Sequence, residues 1–209
     1  MSTIKVLIAF YSRSSVTEAL AIAIGEAAAK EGAEVRLRRA REFVGPEVMA
    51  QAPGWAESAE AMNARYPAPT VEDADWADAV IFGTPTRFGN VAAELKAYID
   101  SLGGLWAQGR LNNKAGSVFC STSSPHGGNE ATLLSMYIPL AHLGFIIVPT
   151  GYVDPAVFKA GSPYGATSVS FNQAKPPSAD DIEVAHWQGR RVTMVARALK
   201  AAGMGVAAA

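Results

Sequence analysis

The chain has 209 residues, 49% of them hydrophobic, and its 18 basic and 19 acidic side chains leave a formal net charge of -1. That suits a single α/β domain with a sizeable core, expected over residues 1–202, and a flexible tail at 203–209. It gives no electrostatic footprint for nucleic acid, and the lack of a basic leader or of an apolar run near ~20 residues points to a cytoplasmic protein without membrane insertion.

Ile4 to Phe10 is a short apolar strand, followed by Tyr11-Ser12-Arg13-Ser14-Ser15 and a helical pattern from Val16 to about Lys30. Ala19, Leu20, Ala23, Ile24 and Ala27 give that helix a small-residue face able to lie close on a sheet, and Gly32 ends it. Glu34 to Arg38 alternates polar and apolar residues, so this second strand belongs near a sheet edge. Between Glu42 and Thr70 the residues Pro46, Pro53, Gly54, Pro67 and Pro69 break the pattern and leave one short helix near Glu57 to Arg65. Asp78 to Gly83 is a buried third strand. Val91 to Ser101 is a helix with Ala92, Leu95, Tyr98, Ile99 and Leu102 turned inward, stopped by Gly103-Gly104. Ala115 to Ser121 is the fourth strand, and its Cys120, the only cysteine, reads as a packed thiol that cannot close an internal disulfide. A helix from Glu130 to Leu143 and a fifth strand from Phe145 to Val148 follow. Gly151 to Ser178 lacks a clear period and reads as a long functional loop; Ser178 then caps a last helix that runs to about Lys200.

Strands alternating with helices predict a parallel, doubly wound α/β sheet, in which the loops after strands one, three and four share one edge. The first of these, Ser12-Arg13-Ser14-Ser15-Val16-Thr17, offers hydroxyls and successive amides at a helix N-terminus, where a phosphate fits. Ordinary capping by Ser14 or Ser15 uses the same residues. Neither Gly-x-Gly-x-x-Gly nor a Walker lysine motif occurs, which leaves a monophosphate rather than a dinucleotide or NTP fingerprint. In the second loop, amides and hydroxyls around Thr84, Pro85, Thr86 and Arg87 suit the polar edge of a heterocycle, and Phe88 adds a flat wall before Gly89 and Asn90. A solvated turn explains the same residues. The third, Ser121-Thr122-Ser123-Ser124-Pro125-His126-Gly127-Gly128, is rich in donors and reaches the same region from the other side.

Taken together, Phe82 to Asn90, Gly103-Gly104-Leu105-Trp106, Ser121-Thr122-Ser123 with Gly127-Gly128, Leu140-Ala141-His142, Ile147-Val148-Pro149 with Gly151-Tyr152, and Ser162 to Thr167 resemble the flavodoxin-like NAD(P)H:quinone oxidoreductases of the WrbA type, in the family's order and from Ile4 to about Leu199. The resemblance implies a five-stranded sheet of order 2-1-3-4-5 with helices on both faces. It also implies FMN, with its phosphate on Ser12, Arg13, Ser14, Ser15, Val16 and Thr17 and its ring between the second and third loops. The matching positions there are Pro85, Thr86, Arg87, Phe88, Gly89, Asn90, Ser121, Thr122, Ser123, Ser124, Pro125 and His126. Trp106 corresponds to the aromatic that walls the quinone site and His142 to the family's site histidine. In a homotetramer both would serve a neighbouring subunit's flavin.

The implied activity is two-electron reduction of a small-molecule quinone by NADH or NADPH through the flavin. Two departures stand out. Ser123-Ser124-Pro125-His126 replaces the family's glycine and threonine run, and Ser14, Ser15 and Val16 replace an aromatic, a glycine and a histidine on the nicotinamide side. Arg13 beside them reads as a solvated loop arginine. The rival readings are a flavodoxin-like electron carrier and a flavin-free regulatory or interaction protein. A response-regulator receiver fits poorly, because Phe10-Tyr11-Ser12 lacks acidic metal ligands.

Overall fold

Alternation along the first strand sets up the architecture. In β1 (Lys5–Phe10) Val6, Ile8 and Phe10 point to one side and Leu7 and Ala9 to the other, and all are buried, as in a strand covered on both faces. The computed structural model describes residues 3–172 and 175–204, so the expected tail beyond residue 204 lies outside the described residues.

The chain continues through α1 (Ser15–Lys30), β2 (Glu34–Arg39), α2 (Pro46–Met49), α3 (Trp55–Arg65), α4 (Val71–Trp76), β3 (Ala79–Pro85), α5 (Ala93–Ser101), α6 (Gly103–Ala107), β4 (Ala115–Thr122), α7 (Asn129–His142), β5 (Ile146–Ile147), β6 (Thr167–Val169) and α8 (Ala179–Ala201). The strands are parallel in the order β2-β1-β3-β4-β5, with β2 at the edge as its alternating pattern requires. On one face α1 and α8 bury Leu20, Ile24, Val184 and Val192 against Val6, Ile8 and Ile81. On the other, α5 and α7 bury Leu95, Ile99, Leu133 and Leu140 against Leu7, Val80 and Phe82. All five inward positions expected for the helix after β3 are buried. At Ser178 the expected cap is a reciprocal one, its side chain accepting from the Asp181 amide while Asp181 accepts from the Ser178 amide.

Three expectations are corrected. Besides the helix near Glu57, the stretch after β2 holds α2 and leads into α4, whose start is closed by a reciprocal cap between Thr70 and Asp73. The helix after β3 stops at Ser101 as expected, but Gly103-Gly104 do not lead into a loop: after Leu102 they open a fresh turn, α6, which carries Trp106. The fifth strand position is filled in two pieces. β5 pairs with Ala115 and Gly116 at the start of β4, whereas β6, inside the expected loop, pairs with Cys120 to Thr122 at its end. Pro149 has no amide for the ladder, so the strand cannot simply continue. Gln188 of α8 closes the gap. Its Oε1 accepts from the Ala166 amide (3.0 Å), and its Nε2 donates to Ser117 Oγ (2.7 Å) and to the Val118 carbonyl (2.8 Å). A buried side-chain amide therefore replaces part of the missing strand pairing.

Candidate functional site

The carboxyl ends of β1, β3 and β4 release their loops to the same side. α1 begins there, and its N-cap Ser14 makes no side-chain capping bond. The first amides of a 16-residue helix are therefore left without a side-chain acceptor, together with the positive end of its dipole. The loop is held from below: Arg39 Nη2 donates to the Ser12 carbonyl (2.9 Å), and the same guanidinium pairs with Glu42. Arg39 is fully buried. The Thr17 hydroxyl does not cap the helix but bonds Ser121 Oγ at the end of β4 (2.8 Å), joining the first and third loops.

The second loop spends its side chains internally. Thr84 Oγ1 donates to the Pro85 carbonyl (2.8 Å) and accepts from the Ala92 amide (2.9 Å). Thr86 Oγ1 accepts from the Gly89 amide (3.1 Å) and from the Thr132 hydroxyl of α7 (2.8 Å). Arg87 and Asn90 close the turn by exchanging backbone bonds of 2.8 and 3.0 Å, with Phe88 and Gly89 both at positive φ between them. The Thr86 amide donates to the Ser121 carbonyl (2.8 Å), fixing this turn to the third loop. A Cβ on Gly128 would lie 3.2 Å from Gly89 Cα, so loops two and three meet glycine to glycine. The expectation that the Thr84 hydroxyl faces a ligand is thereby corrected, since it is wholly buried and committed to the turn.

Between these loops lies an open cavity of about 90 Å³ lined by Arg13, Ser14, Val16, Thr17, Pro85, Thr86, Arg87, Ser121, Thr122, Ser123 and Ser170. No carboxylate lines it, and two arginines do. Its volume is well below the ~300 Å³ at which a pocket encloses a whole small ligand, so it suits one end of a molecule whose remainder lies along the rim. Ser170, just past β6, was not visible as a site residue in the sequence because its segment carried no strand period. Its amide bonds the Thr122 carbonyl (2.8 Å), which is how the split fifth strand steadies the third loop.

The other expected residues are distributed as follows. Ser12 is buried beneath the loop, and Ser15 lines a neighbouring hollow. Phe88 is fully exposed at the tip of the turn, with Gly89 and Asn90 beside it. Ser124, Pro125 and His126 are exposed on the third loop. Trp106 and His142 are not brought to this cavity. α5 and α7 both run back from the site, so His142 lies about 20 Å along α7 from Asn129, near β5 and the start of β4, and Trp106 sits on α6 beside the same end. Arg13 is not a freely solvated loop residue: its guanidinium lies over the Trp55 ring, 4.0 Å from the centroid.

Cys120 is excluded as a nucleophile. Burial pushes its thiol far above the usual range, and its Sγ contacts the Asn129 carbonyl and Oδ1 at 3.4 and 3.2 Å. Tyr11, at the base of the first loop, stays protonated because burial, then the Glu94 and Glu42 charges, raise its phenol. Among the described residues no group of three or more metal-ligating side chains occurs, and no helix is long and apolar enough to cross a membrane.

Residues 3–156 match the sequence profile described as NADPH-dependent FMN reductase. The chain belongs to the NADPH-dependent FMN reductase family. Its similarity extends beyond the profile: it is 40% identical over 204 residues to NAD(P)H dehydrogenase (quinone) 3 of Rhizobium meliloti (strain 1021), covering 94% of this chain and 93% of that protein. The NAD(P)H dehydrogenase (quinone) of Paracoccus denitrificans (strain Pd 1222) is 41% identical, over 94% of this chain and 95% of its own. Among solved structures, a WrbA-like flavodoxin from Agrobacterium tumefaciens superposes with a TM-score of 0.65 at 23% identity, over 94% of this chain and 99% of its own, which shows the shared flavodoxin-like fold. For this FMN reductase family member, the cavity thus lies where a parallel sheet of this order binds ligands, at the switch between β1 and β3.

Proposed function

We propose that this chain is an FMN-dependent NAD(P)H:quinone oxidoreductase, reducing a small quinone by two electrons: quinone, NAD(P)H and a proton give quinol and NAD(P)+. The carrying observation is the uncapped N-terminus of α1 opening into a cavity that two arginines line and no carboxylate does. The residues present fit FMN. The amides at Val16 and Thr17, with the Ser14 hydroxyl, suit its phosphate; each hydrogen bond to a charged group contributes about 1.5–3 kcal/mol. Thr17, Ser121 and Ser170 line the path between that end and the rim, where Pro85, Thr86 and Arg87 suit the ring. When bound, FMN supplies the chemistry of accepting hydride equivalents and passing them on. The protein's part is positioning. The second loop is rigid because its hydroxyls are consumed internally, which keeps the amides and Arg87 at fixed places around a flat ligand. Solvent reaches the open rim, so the quinol oxygens need no dedicated side-chain acid.

We infer further that residues 1–202 act as one domain, that the enzyme works in the cytoplasm, where NAD(P)H is supplied, and that it assembles as a homotetramer. Trp106 is 56% exposed and His142 is exposed at the sheet end away from the chain's own cavity, and α7 presents exposed Leu134 and Ile138 one turn apart. That arrangement supports Trp106 and His142 completing the quinone site of a neighbouring subunit, and argues against a monomeric carrier.

The decisive measurement is the absorbance spectrum of purified protein before and after anaerobic addition of NADH or NADPH, followed by turnover with benzoquinone. A flavin band that bleaches and steady oxidation of the donor are expected. Colourless protein unable to take up added FMN overturns the proposal, and bound FMN without turnover makes the chain an electron carrier. Trp106→Ala is expected to raise the KM for quinone several-fold with FMN retention unchanged; equal loss of both would make Trp106 structural.

A further inference from the structure

The first loop has a second side. Adjoining the cofactor cavity, and sharing Arg13 and Ser14 with it, lies a hollow of about 180 Å³ between the start of α1 and the stretch Ala52 to Ser58. Arg13 is half-buried and lies over the Trp55 ring, 4.0 Å from its centroid, yet among the described residues it has no hydrogen-bond or ion-pair partner. A guanidinium that is fixed in position with all its N–H donors unspent is prepared for an anion. Trp55 Nε1 is likewise buried without an acceptor. Ser14, Ser15 and Ser58 add hydroxyls, no carboxylate lines the hollow, and α3, like α1, starts there without a side-chain cap. An aromatic surface, a fixed cation and several donors in one hollow suit a molecule that carries both a heteroaromatic ring and a phosphate.

We propose that this hollow binds the adenosine-phosphate end of the donor dinucleotide, with Arg13 gripping the 2′-phosphate, so that the enzyme favours NADPH over NADH. The inference rests on the proposed donor reaction and extends it. Shared lining places the hollow beside the cofactor cavity, where one dinucleotide can reach from the rim to Trp55. It also gives a role to the departure at Ser14 and Ser15: small side chains there leave the hollow open, and the aromatic surface comes instead from Trp55.

The test is a calorimetric titration of FMN-loaded protein with 2′,5′-ADP and with 5′-AMP, on wild type, Trp55→Leu and Ser58→Asp. Wild type is expected to bind 2′,5′-ADP at least about tenfold more tightly than 5′-AMP, since only the former offers Arg13 a second phosphate. Trp55→Leu should weaken 2′,5′-ADP about tenfold, and Ser58→Asp, which adds a negative charge without touching the indole, should weaken it at least as much. FMN per chain, and flavin reduction by dihydronicotinamide mononucleotide, which lacks the adenosine half, should stay as in wild type in both variants. No saturable binding of 2′,5′-ADP, equal affinity in the variants, or displacement by equimolar inorganic phosphate overturns the assignment. Because the titration reads binding rather than turnover, bleaching by NADPH without 2′,5′-ADP binding sinks only this inference, whereas protein that retains no FMN sinks the proposed function.

Discussion

The two ends of the parallel sheet are built on opposite plans. At the amino end polar groups are spent on one another: Lys200 Nζ reaches both oxygens of Asp78 (3.0 and 2.8 Å), Asp78 also accepts from the Lys5 amide (2.9 Å), and Arg110 pairs with Asp75 (2.6 Å). Lys114 is buried there and donates to the Ala74 and Asp75 carbonyls at 2.8 and 2.6 Å, closing the end of α4. At the carboxyl end the donors nearest the cavity, the first amides of α1 and the Arg13 guanidinium, are left unspent, while the groups behind them are tied down. The difference teaches where binding energy is held in reserve. A rigid support keeps open donors from collapsing onto the protein's own acceptors.

Removing that support should have the largest effect. Arg39→Met leaves buried Glu42 without its partner and frees the Ser12 carbonyl, and about 3–5 kcal/mol of stability should be lost in urea unfolding. A loss under about 1 kcal/mol would show that the first loop does not depend on it. Thr84→Val keeps the shape of the second loop but strands the buried Ala92 amide, at an expected cost of about 1–3 kcal/mol, with FMN affinity nearly unchanged because that hydroxyl faces no ligand. If FMN affinity fell in step with stability, the distinction between binding groups and supporting groups would fail.

The amino end offers a pH signature. Burial lowers the Lys114 ammonium from 10.5 to about 8, with Asp75 and Asp78 opposing. Its folded value lies below its unfolded one, so between about pH 8 and 10 the unfolded chain holds more protons and stability should rise with pH. Relative to Lys114→Met, wild type should gain up to about 2 kcal/mol across that window, measured by urea unfolding at successive pH values. A difference that stays flat would mean that the ammonium is not desolvated. The smallest effect is expected for Thr17→Val, which cuts the bond to Ser121. About 1 kcal/mol of stability should go, together with a several-fold loss in FMN retention, because the first and third loops lose their link.

Much of this was legible from local pattern. The burial of Leu95, Tyr98 and Ile99, the edge position of β2 and the cap at Ser178 follow from helix and strand periodicity and capping chemistry, which act over a few residues. The three loops at one edge follow from alternating strands and helices, because parallel crossovers leave no other arrangement. The family resemblance, carried by Phe82 to Asn90 and its companion motifs, agrees with the family to which the chain belongs. What sequence could not show rests on partners far apart along the chain. Gln188 lies 71 residues from Ser117 and Thr17 lies 104 from Ser121, yet those pairs replace the missing part of the fifth strand and join two site loops. No period marks such residues, since a single buried polar side chain satisfies whichever backbone group packing brings to it. The same holds for Arg13: its charge was plain in the sequence, but only the path of the chain to Trp55 decided that it is a fixed donor rather than a solvated one.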